Sequence, residues 1–102
     1  DPLDGTKEFI NRNDEFTVNI SLIENHRPIL GVVHVPVFGR TYVGCEGVGA
    51  SRRDGDGEPV AIRVAAQSAS PARIVGSRSH RGASLDASLE NVGDYDMVPM
   101  GS

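Results

Sequence analysis

Hydrophobic and polar positions alternate most clearly between residues 16 and 23. Phe16, Val18, Ile20 and Leu22 share one parity, and Thr17, Asn19 and Ser21 the other. A period of two predicts a strand with one face covered. Asn25-His26-Arg27-Pro28 reads as a turn. Ile29 to Val37 is almost continuously apolar, which predicts a second strand buried on both faces. Strands this close in sequence pair as an antiparallel hairpin. Arg40 to Cys45 reads as a third strand. Glu46 to Gly57 is Gly-rich and charged and predicts an exposed loop, with Asp54-Gly55-Asp56-Gly57-Glu58 as a solvated turn. Val60 to Val64 alternates briefly as a fourth strand.

The rest of the chain changes character. Gln67 to Pro71 is a small-residue linker, and Arg73-Ile74-Val75-Gly76 is a short strand. Residues 84 to 92 predict a helix with Ser84 as N-cap, a core stripe of Leu85, Leu89 and Val92, and Gly93 just past its end. Tyr95 to Met100 is a last short strand. At the start, Thr6 can cap a helical turn through Lys7-Glu8-Phe9-Ile10, which Asn11, Asn13 and Asp14 end. The fold class is α+β or layered α/β: an antiparallel meander over residues 1–66, then a strand–helix–strand unit over 67–102.

Composition narrows the class. The 102 residues are 38% hydrophobic and 24% charged, an ordinary globular balance. Three Phe, two Tyr and no Trp make for a thin core. Net charge is −4, and no basic cluster of the kind that binds nucleic acid is present. The single cysteine, Cys45, forbids an intrachain disulfide and fits a reducing compartment. It reads as a small strand or turn residue. No apolar run approaches the ~20 residues of a membrane span. His34, inside an apolar strand, reads as a hydrogen-bonded structural histidine, and His26 as a solvated turn residue. Met97 and Met100 read as packing residues.

Candidate chemistry sits at the start. Asp1 and Asp4 are three residues apart with Pro2 between them. Mg²⁺ takes hard oxygen ligands, so two carboxylates on one tight turn, with a backbone carbonyl such as that of Leu3, can converge on it. Gly5 allows close backbone approach to a ligand. Free N–H groups at a helix start suit a phosphate, and the Thr6 hydroxyl can orient a water. Asp-Pro and Asp-Gly are also ordinary turn dipeptides.

The whole string Asp1-Pro2-Leu3-Asp4-Gly5-Thr6 is more specific. It resembles the signature of the inositol monophosphatase superfamily of metal-dependent phosphatases. The continuation Lys7-Glu8-Phe9-Ile10 is similar to its 3′(2′),5′-bisphosphate nucleotidase branch. The likeness runs on through Glu15-Phe16-Thr17-Val18-Asn19-Ile20 and Pro28 to Val33, and resumes at Ser77-Arg78-Ser79-His80. The resemblance implies the layered α-β-α-β-α fold of that superfamily and a Mg²⁺-dependent hydrolysis of adenosine 3′,5′-bisphosphate to AMP and phosphate, in the recycling of a sulfur-assimilation by-product. It implies that Asp1 bridges two magnesium ions, that Leu3 ligates one through its carbonyl, and that Asp4 binds the second and lies at the substrate. Gly5 and Thr6 would donate N–H groups to the phosphate, Thr6 would help activate the attacking water, and Lys7 would lie beside the phosphate. Ser77 and His80 would contact the nucleoside side, and Gly101 matches a glycine near the adenosine.

The family's upstream Glu and Asp and its downstream Trp-Asp ligand have no counterpart here. The chain also starts inside the motif, so it reads as a central piece of a longer enzyme, inactive and poorly soluble by itself. The resemblance implies a cytoplasmic enzyme, with a peripheral place at the inner membrane as an option. The rival readings are a sister phosphatase for inositol phosphate or fructose bisphosphate, and a non-catalytic relative that keeps the fold as a binding module.

Overall fold

A computed structural model describes residues 1–77, 82–90 and 92–100. They fall into two compact units, Asp1–Val64 and Ala65–Ser102.

The first unit is a five-stranded antiparallel meander in the order β1-β2-β3-β4-β5. The strands are β1 (Val18–Glu24), β2 (Arg27–Val35), β3 (Arg40–Cys45), β4 (Gly49–Asp54) and β5 (Val60–Ile62). Asn25 and His26 connect β1 to β2 with φ of 50° and 63°. Two consecutive positive φ values match the right-handed twist of a tight hairpin, which is where Asn is tolerated. β2 stops at Val35 rather than Val37, because Pro36 has no N–H to give the ladder and instead opens a 3₁₀ turn, Pro36–Phe38.

The expected loop from Glu46 to Gly57 is corrected: its middle is β4. Gly-Ala-Ser-Arg-Arg-Asp carries no apolar alternation, yet Gly49 to Asp54 pairs residue for residue with Cys45 to Arg40. Pairing overrides weak strand propensity here. Arg40 Nε donates to Asp54 Oδ1 at 2.7 Å across the last pair, and Arg52 reaches the other oxygen at 3.3 Å. Residues 55–57 keep the expected turn.

The register sorts the sheet into two faces. Val18, Ile20 and Leu22 stand opposite His34, Val32 and Leu30, which stand opposite Thr41, Val43 and Cys45. His34 Nδ1 lies 2.9 Å from Thr41 Oγ1, so this histidine is hydrogen-bonded within the sheet. The apolar face is not covered at its β1 end: Ile20 is 66% and Leu22 54% exposed. Burial lies on the polar side instead, at Thr17, 8% exposed.

The second unit is a strand–helix–strand. β6 (Ala72–Ser77) and β7 (Tyr95–Met100) are parallel neighbours, and α2 (Ala83–Leu89) links them. Ser84 is inside α2, not its N-cap; Gly82 holds that position in extended backbone. The helix ends at Leu89, so Val92 falls outside the expected stripe and is half exposed, while Leu89 is the buried core residue. A Cβ on Gly76 would sit 2.7 Å from Met97 Sδ and 3.4 Å from Leu85 Cδ2. The bare glycine therefore lets Met97 and the helix close onto β6. No helix among the described residues is long and apolar enough to cross a membrane.

Candidate active site

The segment Asp1–Asp4 lies along the free edge of β1. Asp4 N donates to Thr17 O at 2.8 Å and Thr17 N donates back to Asp4 O at 2.9 Å. The Asp1 nitrogen likewise donates to Asn19 O at 2.9 Å, and Asn19 N donates to Asp1 O at 2.9 Å. Residues that exchange both bonds in an antiparallel pair present their side chains on the same face.

Thr17 and Asn19 are two apart on β1, so they share a face. Asp1 and Asp4 are three apart and would fall on opposite faces of a regular strand. Between the two pairs, Pro2 and Leu3 together oppose the single residue Val18. That is a β-bulge, which adds one residue and restores the parity. Both carboxylates therefore stand on the Thr17–Asn19 face. Leu3 N donates to Asp1 Oδ1 at 3.3 Å, an Asx-type closure that sets the Asp1 carboxylate over the bulge.

Gly5 follows in the left-handed region, φ 84° and ψ 44°, and is the N-cap of α1 (Thr6–Asn11). Thr6 is thus the first helical residue and not the cap. No side-chain cap bond forms, because the left-handed glycine turns the chain into the helix by itself. Phe9 N donates to Gly5 O at 2.9 Å. Thr6 and Lys7 are exposed, and Glu8 is buried. At the far end Arg12 takes φ 56°, and Asn13 N donates to Glu8 O at 3.1 Å. Phe9 and Phe16 meet edge to face, with centroids 5.2 Å apart, where the chain returns to β1. The loop leaving Asp4 is closed by the bonds to Thr17, so Gly5, Thr6 and Lys7 are carried on a loop with both ends fixed.

Asp1, Leu3, Asp4, Gly5, Thr6 and Lys7 are brought together in this way. Ser77 belongs to the second unit, at the carboxyl end of β6 and in register with Met100, the last residue of β7. His80 and Gly101 lie outside the described residues. Two residues with no role expected from sequence, Thr17 and Asn19, form the backing of the motif. Their polar parity on β1 was the available signal.

The donor set at the motif is two carboxylates and a main-chain carbonyl. Hard oxygens of this kind suit Mg²⁺ and not a soft metal. One further oxygen is buried there with no hydrogen-bond partner, Asn19 Oδ1. No three His, Cys, Asp or Glu side chains gather among the described residues. By type, the oxygens that the motif offers fit a hard cation.

The sequence model of the Inositol monophosphatase family matches residues 1–94. The chain belongs to that family. Among its relatives, the 3′(2′),5′-bisphosphate nucleotidase CysQ of Escherichia coli K12 is 45% identical over 102 residues, which cover all of this chain and 40% of that protein. The counterpart from Buchnera aphidicola is 44% identical over 102 residues and is covered to 37%. The crystal structure of CysQ from Bacteroides thetaiotaomicron superposes with a TM-score of 0.79 at 35% identity, covering all of this chain and 44% of that one. SuhB of Mycobacterium tuberculosis, at 23% identity and a TM-score of 0.80, shares the fold. The chain thus spans about two fifths of the relatives it matches, and its two units are part of the inositol monophosphatase fold.

Proposed function

We propose that this segment carries the metal-binding half of a 3′(2′),5′-bisphosphate nucleotidase, which removes phosphate from adenosine 3′,5′-bisphosphate and leaves AMP. The observation that carries the reading is the bulge at Pro2-Leu3, which sets Asp1 and Asp4 on one face of the β1 edge. The nucleotidase likeness along the entire chain supports the choice of substrate within the family.

A phosphate monoester resists hydrolysis because its phosphoryl group is anionic and water is a weak nucleophile. Mg²⁺, when bound, supplies positive charge that lowers the pKa of a water and neutralises phosphoryl oxygens. Asp1, Asp4 and the Leu3 carbonyl would hold the ions. The Thr6 hydroxyl would accept and pass on a hydrogen bond from the attacking water. The N–H groups of Gly5 and Thr6 would hold the phosphate, and Lys7 would add charge beside it. Ser77, with His80 and Gly101, would meet the nucleoside. Ser77 stands where the carboxyl ends of two parallel strands coincide, the usual place for a ligand in such a unit. The single cysteine fits a reducing cytoplasm.

The test is hydrolysis by the full-length protein with Mg²⁺, comparing adenosine 3′,5′-bisphosphate with inositol monophosphate and fructose 1,6-bisphosphate. The expected result is a higher kcat/KM for the nucleotide. Faster turnover of either sugar phosphate overturns the substrate assignment, and no turnover of any favours a non-catalytic relative.

A further inference from the structure

We propose that Asn19 is a positioning residue of the cation site, its Oδ1 accepting a hydrogen bond from water held by the ion that Asp1 and Asp4 bind. The proposal rests on those two carboxylates being ligands and adds a residue to them.

Three observations lead to it. Asn19 and Asp1 exchange both backbone bonds, so their side chains share a face, with Cα atoms about 5.5 Å apart as in any such pair. Asn19 Oδ1 is buried, and no described residue donates to it. Leaving a buried amide oxygen unmatched is costly, and such an atom in a folded protein calls for an ion, a water or a function. The Asp1 carboxylate is turned over the bulge by the Leu3 N–H, beside the face that carries Asn19.

The chemistry distinguishes Asn19 from its neighbours on β1. Ile20 and Val18 belong to the opposite face. An amide oxygen is a hard acceptor without charge, so it can order the hydration of a magnesium ion without adding to the repulsion between carboxylates. Mg²⁺ sheds its waters reluctantly, and a fixed acceptor behind the ligands restrains them. Were Asn19 only a strand residue, Val would serve better at this position, since it favours strands and leaves no polar atom buried.

The test uses the full-length protein, with Mn²⁺ binding followed by electron paramagnetic resonance and Mg²⁺ binding by competition. Asn19→Val is expected to weaken cation binding about 10-fold or more, the usual scale for outer-shell partners, while the metal-free melting temperature stays level or rises. Asn19→Asp, which restores an oxygen and adds charge, is expected to bind at least as tightly as the parent and to melt lower without metal. Unchanged cation affinity in Asn19→Val overturns the proposal. Should Asn19→Val fail to fold, an Asn19→Asp protein with weakened binding overturns it instead. If Asp1→Asn abolishes binding and Asn19→Val does not weaken it, only Asn19 is misassigned. If neither the parent nor Asp1→Asn binds Mn²⁺, the cation site itself is wrong and this proposal falls with it.

Discussion

Asp4 and Thr17 exchange both of their backbone hydrogen bonds, at 2.8 and 2.9 Å, across a loop that holds Gly5, Thr6 and Lys7. This pair, with Asp1 and Asn19 above it, converts an aspartate spacing of three into two carboxylates on one face. The spacing has a physical consequence: Pro2 and Leu3 together oppose Val18, and this extra residue returns Asp4 to the face of Asp1.

Deleting Leu3 from the full-length protein tests that consequence. Without the bulge the ladder becomes regular, and Asp1 and Asp4 lie two apart with a straight strand between them. Asp1 would lose its closure over Leu3, and the carbonyl that accompanies the two carboxylates would be gone. We expect kcat/KM to fall about 100-fold or more, the scale of a misplacement near 1 Å. Pro2→Ala keeps the residue count, so the bulge persists and activity should change only a few-fold. Steady-state kinetics with circular dichroism to confirm folding makes the comparison.

Gly5 supplies a second test. At φ 84° and ψ 44° it starts α1 from left-handed backbone. A Cβ in that region costs about 1–2 kcal/mol, and Asn tolerates it better than Ala. Gly5→Ala should therefore lower the melting temperature of the full-length protein by about 2–8 °C at ~2–4 °C per kcal/mol, and Gly5→Asn by less. Activity should fall in the same order, because the N–H groups of residues 5 and 6 turn with the glycine. Equal melting temperatures for Gly5→Ala and the parent would show that the backbone can relax.

Much of this arrangement is legible in the chain itself, and the exceptions have causes. The alternation over residues 16 to 23 marks β1, and Asn25 marks the hairpin because few residues accept positive φ. β4 escapes notice because Gly49 to Asp54 has no apolar parity; pairing to β3 and the Arg40–Asp54 contact hold it, and both are non-local. Asp1 and Asp4 are visible as candidate ligands, but the bulge is not, since it exists only relative to Thr17 and Asn19. The parity of β1 also misleads about cover. Its polar side backs the motif, while Ile20 and Leu22 are exposed. In α2 the helical period marks Leu85 and Leu89, but Gly82 replaces Ser84 as the cap because the helix begins two residues earlier than that cap implies.

Asp54 gives a prediction about pH. The hydrogen bond from Arg40, then the charges of Arg40 and Arg52, hold its carboxyl below the ordinary carboxylate value, and the same partnership raises Arg40. A lowered folded value means that the contribution to stability is complete above the unfolded pKa of about 3.9 and is lost as pH falls through the folded value. Arg40 stays charged throughout that range. The Asp54→Asn protein should thus be slightly less stable than the parent at pH 7, with the gap closing below about pH 4. Both partners are on the surface, so salt should also close it. Urea titrations at pH 7 and pH 3, with and without 0.5 M NaCl (about 4 Å of screening length), measure the four differences. A gap that widened on acidification would mean that Asp54 acts otherwise.

Gly76 tests the second unit. Its missing side chain is matched to Met97 on β7 and to Leu85 on α2. Gly76→Ala pushes a methyl into Met97 Sδ, and the overpacking should cost about 1–3 kcal/mol. Met97 is flexible, so its displacement decides where in that range the cost falls. Truncating the obstacle with Met97→Ala should be destabilising alone through the space it leaves. Combined, the two changes should destabilise less than the sum of the singles, because the new methyl occupies part of that space and meets no sulfur. A double-mutant cycle by denaturant unfolding reads this coupling directly. Because β6 ends at Ser77, the displacement should also move the carboxyl end of the strand. The KM for the nucleotide should then rise in Gly76→Ala while cation binding at the motif stays as in the parent. A change in cation affinity equal to the change in KM would instead mean that residue 76 acts on the first unit.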